Sequence, residues 1–183
     1  MALNIMNYRW IILILSISLT ACGFFHESFV MEPARLKISM LKGWGVQNAE
    51  RYPQILAVIE NQTRYLFVNE DMLKEGVVSS VSIDLVEYPK VELNVRQIAT
   101  LKLKSLVDTN QLTVIEEGGC PSLVVSSEAS CFAAKKTLGG LEVFAYIYYF
   151  EHADMLVNIT AAYSNDESRL SVIEILGTVT ESL

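Results

Sequence analysis

The stretch CFAAKKTLGGLEVFAYIYYFEHADMLVNITAAY, residues 131–163, decides the fold. It divides into three runs, Cys131 to Thr137, Leu141 to Phe150 and Met155 to Tyr163. The joins are Leu138-Gly139-Gly140 and His152-Ala153-Asp154, both short enough for hairpins. Three consecutive antiparallel strands are expected. The middle run is rich in aromatics: Phe144, Tyr146, Tyr148, Tyr149 and Phe150. Alternation turns Phe144, Tyr146 and Tyr148 to one layer and Ala145, Ile147 and Tyr149 to the other. A strand covered on both faces is apolar throughout, so this run reads as a central strand. The alternative is an edge strand that shows some of these tyrosines to a partner.

Working outward, Ser164 with Glu167 three residues on reads as a capping box. It opens a terminal helix carried by Leu170, Ile173, Leu176 and Val179-Thr180. On the other side, Leu123 to Val125 reads as a short strand, Glu116 to Pro121 as a loop, and Leu112 to Ile115 as a strand. Val91 to Asp108 is the strongest internal helix, with Val95, Ile98, Ala99, Leu103, Leu106 and Val107 on one face. Val77 to Glu87 alternates through Val81, Ile83 and Leu85 and stops at Pro89. Met72 to Gly76 is a connection, and Tyr65 to Asn69 a strand. Pro53 opens a helix with Ile55, Leu56, Val58 and Ile59 on its apolar face, ending near Gln62. Lys42 to Gly45 is a turn, and Leu36, Ile38 and Met40 mark the first strand. The simplest solution for this order is an α/β (α+β) domain, a mainly antiparallel central sheet with helices packed on it.

Gly43-Trp44 after an opening strand, the Leu141–Tyr163 hairpin and the closing helix resemble the PsbP-like fold. That family includes a photosystem II extrinsic subunit, a Ran-binding import factor and several bacterial lipoproteins. The resemblance implies an α/β/α sandwich over residues 35–183 and a non-enzymatic binding or assembly role. It carries over no functional residue, and fold analogy is weak ground for function.

The N-terminus says where the chain is held. Arg9 precedes an apolar and hydroxyl run from Trp10 to Leu19. That run is about 15 Å long as a helix, short of the roughly 20 residues needed to span a bilayer. It matches the core of a secretory signal. Leu19-Thr20-Ala21-Cys22 then resembles the bacterial lipobox, whose cysteine is acylated, with palmitate among the chains, and whose chain is cut just before it. The resemblance implies a signal peptide over 1–21, a membrane anchor at Cys22 and a tether over 22–34. The alternative is an uncleaved membrane helix with Cys22 as an ordinary thiol. Gly23 follows the cysteine, where an Asp signals inner-membrane retention in Gram-negative lipoproteins. The implied site is the cell envelope, at the outer membrane facing the periplasm. Phe24, Phe25 and Phe29 lie in the tether.

Without Arg9, 13 Lys and Arg face 21 Asp and Glu. Such a chain has no electrostatic footprint for nucleic acid. Cys120 and Cys131 are the thiols left after lipidation. In an oxidising compartment two cysteines are more often paired than free, and closing that ring is worth about 3 kcal/mol on the chain-entropy model. Glu151, His152 and Asp154 are better read as a polar hairpin turn than as a metal site. A histidine-based triad would have to use His152, and no Gly-x-Ser-x-Gly elbow is present. Glu116-Glu117 and Asp166-Glu167 read as a solvated loop and a helix N-terminus. No catalytic, metal or cofactor residues are assigned. The leading expectation is an accessory lipoprotein that binds another envelope protein. A small-ligand-binding lipoprotein comes second, and a hydrolase third.

Overall fold

Tight two-residue turns close the meander. Gly139-Gly140 joins β7 (Ser130–Leu138) to β8 (Leu141–His152), and Ala153-Asp154 joins β8 to β9 (Met155–Tyr163). All four turn residues have positive φ: 57° and 88° in the first turn, 48° and 60° in the second. That pairing matches the right-handed twist of the strands. Alanine at φ 48° is strained, because its Cβ crowds the backbone in the left-handed region. Ala153→Gly is expected to raise stability by about 1 kcal/mol, read as a higher urea midpoint with an unchanged slope.

The computed structural model describes residues 27–47, 62–88, 92–109 and 112–182. Its remaining elements are β1 (Ser28–Met31), a 3-10 turn (Glu32–Ala34), β2 (Leu36–Ser39), β3 (Trp44–Gln47), β4 (Gln62–Asn69), α1 (Glu70–Lys74), β5 (Ser79–Glu87), α2 (Val95–Asp108), β6 (Thr113–Glu117), α3 (Asp166–Leu176) and β10 (Thr180–Glu181). The described residues form a seven-stranded sheet in the order β3-β4-β5-β9-β8-β7-β6 and a three-stranded sheet in the order β1-β2-β10. Every pairing in both is antiparallel. The last strand of the meander docks on β5, which makes β8 and β9 internal.

The large sheet is covered on both faces. On one, Phe67, Val81, Ile83, Tyr146, Tyr148, Phe150, Val157 and Ile159 pack under α3 and the small sheet, which contribute Val172, Ile175, Leu176, Leu36 and Ile38. On the other, Ala99 and Leu103 of α2 pack on Phe132, Ala134, Ile147 and Tyr149. The alternation expected of β8 is what the structure shows. One outer layer of the sandwich therefore mixes a helix with a small sheet. Trp44 Nε1 and Asn69 Nδ2 both donate to Ser171 Oγ, at 3.1 and 3.2 Å, and pin α3 to the β3–β4 edge.

Several local expectations change. The stretch read as the end of the tether, residues 28–34, is built into the fold: β1 pairs with β2, and Met31 and Ala34 are fully buried. Phe29 packs edge-on against Tyr65 and Phe67, at 5.5 and 5.7 Å. Trp44 and Gly45 belong to a strand rather than a turn. Met72 lies in α1, whose N-cap Asn69 accepts from the Met72 N–H at 3.2 Å. Leu123 to Val125 form no strand, yet Leu123 is buried against the core. The cap of α3 is Asn165 with Ser168, not Ser164 with Glu167; Asn165 Oδ1 accepts from the Ser168 N–H at 2.8 Å. Leu170 points outward, 65 % exposed, while Val172, Ile175 and Leu176 face inward. Val107 also leaves the buried face of α2. The helix expected from Pro53 lies outside the described residues, and Gln62 already belongs to β4.

Candidate functional site

A cleft of about 890 Å³ opens at one end of the large sheet. Cys131 and Phe132 of β7 and Phe150 and Glu151 near the end of β8 line it. The first turn of α2, Asn94 to Arg96, forms one wall with Tyr88. Another side is the irregular segment Ser126 to Ala129, which leads into β7 at Ser130. Asn94 closes the helix end with a capping box: its side chain accepts from the Gln97 N–H at 3.0 Å, and Gln97 accepts from the Asn94 N–H at 2.9 Å.

The second wall has no ladder of its own, so it is held at separate points. A disulfide joins Cys120 to Cys131, with Cα atoms 6.3 Å apart. The Gly118 N–H donates to the Cys131 carbonyl at 2.8 Å. Tyr148 Oη donates to the Pro121 carbonyl at 2.9 Å. Leu123 seats in the core below. These ties bring a chain segment with few ordering contacts of its own to a defined position beside α2.

The cleft's charges come from four side chains. Arg96 pairs with Glu117 at 3.3 Å. Both are largely exposed, so the pair adds little to stability. Glu128 and Glu151 line the same cleft and make no ion pair among the described residues. Glu151 turns into the cleft while His152, the next residue, turns toward β10; its Nδ1 lies 3.9 Å from Glu181 Oε1. Glu151, His152 and Asp154 therefore do not converge. Among the described residues no three metal-ligating side chains are grouped. Glu116 and Glu117 lie in β6, and Asp166 and Glu167 sit in the first turn of α3. Cys22 and the stretch around it lie outside the described residues. No described helix is long and apolar enough to cross a membrane.

One polar feature was missed from the sequence. Arg64, Asp84, Asn158 and Tyr149 stand at one register across β4, β5, β9 and β8. Arg64 grips Asp84 with two bonds: Nε donates to Oδ1, and Nη2 donates to Oδ2 at 3.0 Å. Asn158 Nδ2 donates to the Tyr148 carbonyl at 3.1 Å. The available signal was the alternation of β5, which places Asp84 opposite Val81, Ile83 and Leu85 and so on the second sheet face. Burial, and then the negative charge of Asp84, push the Tyr149 hydroxyl up to about 12. An unfolded tyrosine titrates near 10. The folded state therefore holds this proton more tightly, and the resulting stability is complete below about pH 10 and lost as pH rises toward 12. Tyr149→Phe is expected to flatten the fall in urea midpoint across that window.

No model of a known protein family matches the chain, and no curated protein matches it by sequence. Solved structures do match it. The Ran-binding protein Mog1p of Saccharomyces cerevisiae aligns with a TM-score of 0.51 at 10% identity, over 85% of this chain and 95% of that one. The cyanobacterial PsbP (CyanoP) of Synechocystis aligns with a TM-score of 0.52 at 9% identity, over 87% and 96%. At these identities the likeness is one of fold, and the chain has the PsbP-like fold: a mixed α+β structure built on a mainly antiparallel sheet.

Proposed function

We propose that this chain is a lipid-anchored bacterial envelope protein. It is cut before Cys22, acylated there, and binds another envelope protein in a non-enzymatic accessory or assembly role. The observation that carries the binding role is the cleft. Phe132 and Phe150 are among its lining residues, but the lining is rich in charged and hydroxyl-bearing side chains: Arg96, Glu117, Ser126, Ser127, Glu128 and Glu151. Small-molecule pockets are lined mainly by apolar and aromatic groups. A lining that mixes many polar and charged groups with a few apolar ones suits a protein contact better. The Cys120–Cys131 disulfide agrees with life outside the reducing cytoplasm, as does the signal-like run before Cys22. Gly23 favours the periplasmic face of the outer membrane.

The test is a crosslinking pull-down from membranes of the native host. Three forms are compared: the wild type, Cys22→Ala, and the cleft variant Glu128→Lys with Glu151→Lys. One envelope protein should be enriched with the wild type, less with the unanchored form, and not with the cleft variant. Equal enrichment by the cleft variant would reject the cleft as the contact. If no protein is enriched while the cleft variant loses a small molecule that the wild type retains, the ligand-binding reading replaces this one.

A further inference from the structure

The β7–β8 ladder runs past its neighbours. Its last supported pairs are Phe144 opposite Tyr163 of β9 and Lys135 opposite Thr113 of β6. Three pairs continue beyond: Lys136 with Val143, Thr137 with Glu142, and Leu138 with Leu141. At the rise of a strand, that projects the tip about 10 Å past the sheet. The tip reads Leu138-Gly139-Gly140-Leu141, and its two leucines are 50 % and 41 % exposed. They are two of the ten large apolar side chains exposed among the described residues, and they stand directly opposite each other on the projecting turn. Lys135 neutralises Glu142 beside them, at 3.1 Å, and Lys136 makes no ion pair among the described residues.

The N-terminal chain arrives at this same end of the sheet. The Met40 N–H donates to the Glu27 carbonyl at 2.7 Å, and the Trp44 N–H donates to the Leu41 carbonyl at 3.0 Å. Glu27 therefore sits close to Trp44. Trp44 opens β3, and the next residue, Gly45, pairs with Val68, whose level runs through Ser80 and Ala162 to Ala145 of β8, four strands across the sheet. Only five residue steps separate Cys22 from Glu27, a reach of about 17 Å. The cleft, at Phe150 and Glu151, lies at the other end of β8. Ten residues along that strand separate it from Leu141, about 34 Å.

We propose that the Leu138-Gly139-Gly140-Leu141 tip is a second membrane contact. It places both leucines in the lipid surface that holds the acylated Cys22, with Lys136 at the headgroup phosphates. Two points of attachment orient the domain where one tether would let it tumble. They hold the cleft on the side away from the bilayer. This inference rests on the anchoring reading above.

The test uses the acylated full-length product in vesicles of dibrominated phosphatidylcholine, whose chains quench tryptophan. Leu141→Trp is compared with Glu151→Trp, and the emission of the parent chain is subtracted from both. Leu138→Trp repeats the measurement from the adjacent strand. The expected result is that all three forms float with the vesicles. The two tip tryptophans then lose most of their emission and shift to the blue, while the Glu151→Trp signal is unaffected. If the proteins float but the tip tryptophans are quenched no more than the one at position 151, the hairpin contact is wrong and the anchor stands. If the chain fails to float, like Cys22→Ala, the anchoring reading itself fails and the proposal falls with it.

Discussion

Phe67→Ala is expected to lower the unfolding free energy by about 3–5 kcal/mol, the usual cost of emptying a fully buried aromatic site. Phe67 has no exposed surface and lies in the central core cluster. Its ring meets Phe29 edge-on, so it is where β1 locks onto the large sheet. The neighbours cannot collapse into the gap without moving β1 and β2 together, and that puts the loss toward the upper end. The measure is the urea midpoint at unchanged slope. Leu138→Ala serves as the control. That side chain is half exposed on the projecting tip, and its removal should change stability by no more than about 0.5 kcal/mol. A loss below about 1 kcal/mol at Phe67 would mean that β1 does not pack as described.

Joint replacement Cys120→Ser and Cys131→Ser should cost about 3 kcal/mol on the chain-entropy model. The effect reaches beyond stability. The segment between the two cysteines has no strand or helix of its own, and the disulfide is one of its few ties. Amide exchange in residues 121–129 should rise well ahead of exchange in β8 and β9, which keep their ladders on both sides. If exchange in the segment is unchanged, Leu123 and the Tyr148–Pro121 bond suffice to hold the cleft wall. The disulfide would then be dispensable for the site.

Much of the fold was legible because the signals are local. Two tight turns between alternating runs define the meander, and the period of apolar residues defines α2. Errors arose where two local choices are nearly equal in energy. Asn165 and Ser164 are both good caps, and Leu170 and Val172 offer alternative apolar faces of α3, of which packing buries the one with Val172. Glu70 to Lys74 is too short for its period to be read, so α1 passed as a connection. Residues 28–34 looked like a tether because β1 holds only four residues and makes no sense without β2 beside it.

The sequence by itself determined the antiparallel meander, the two-faced apolar character of β8, a helix ending at Asp108 (read from Val91, where the structure begins it at Val95) and the likeness to the PsbP-like fold. The first three rest on residues a few positions apart, and the likeness rests on the order of such local signals along the chain. Only the tertiary structure decided that β9 docks on β5, that β1 and β10 flank β2, and that Arg64, Asp84, Asn158 and Tyr149 share one register. It also decided that the segment before Ser130 faces the start of α2 to form the cleft. Each of these joins residues far apart in the chain, where the closure of long loops is balanced by burial summed over many partners. No local pattern records that sum.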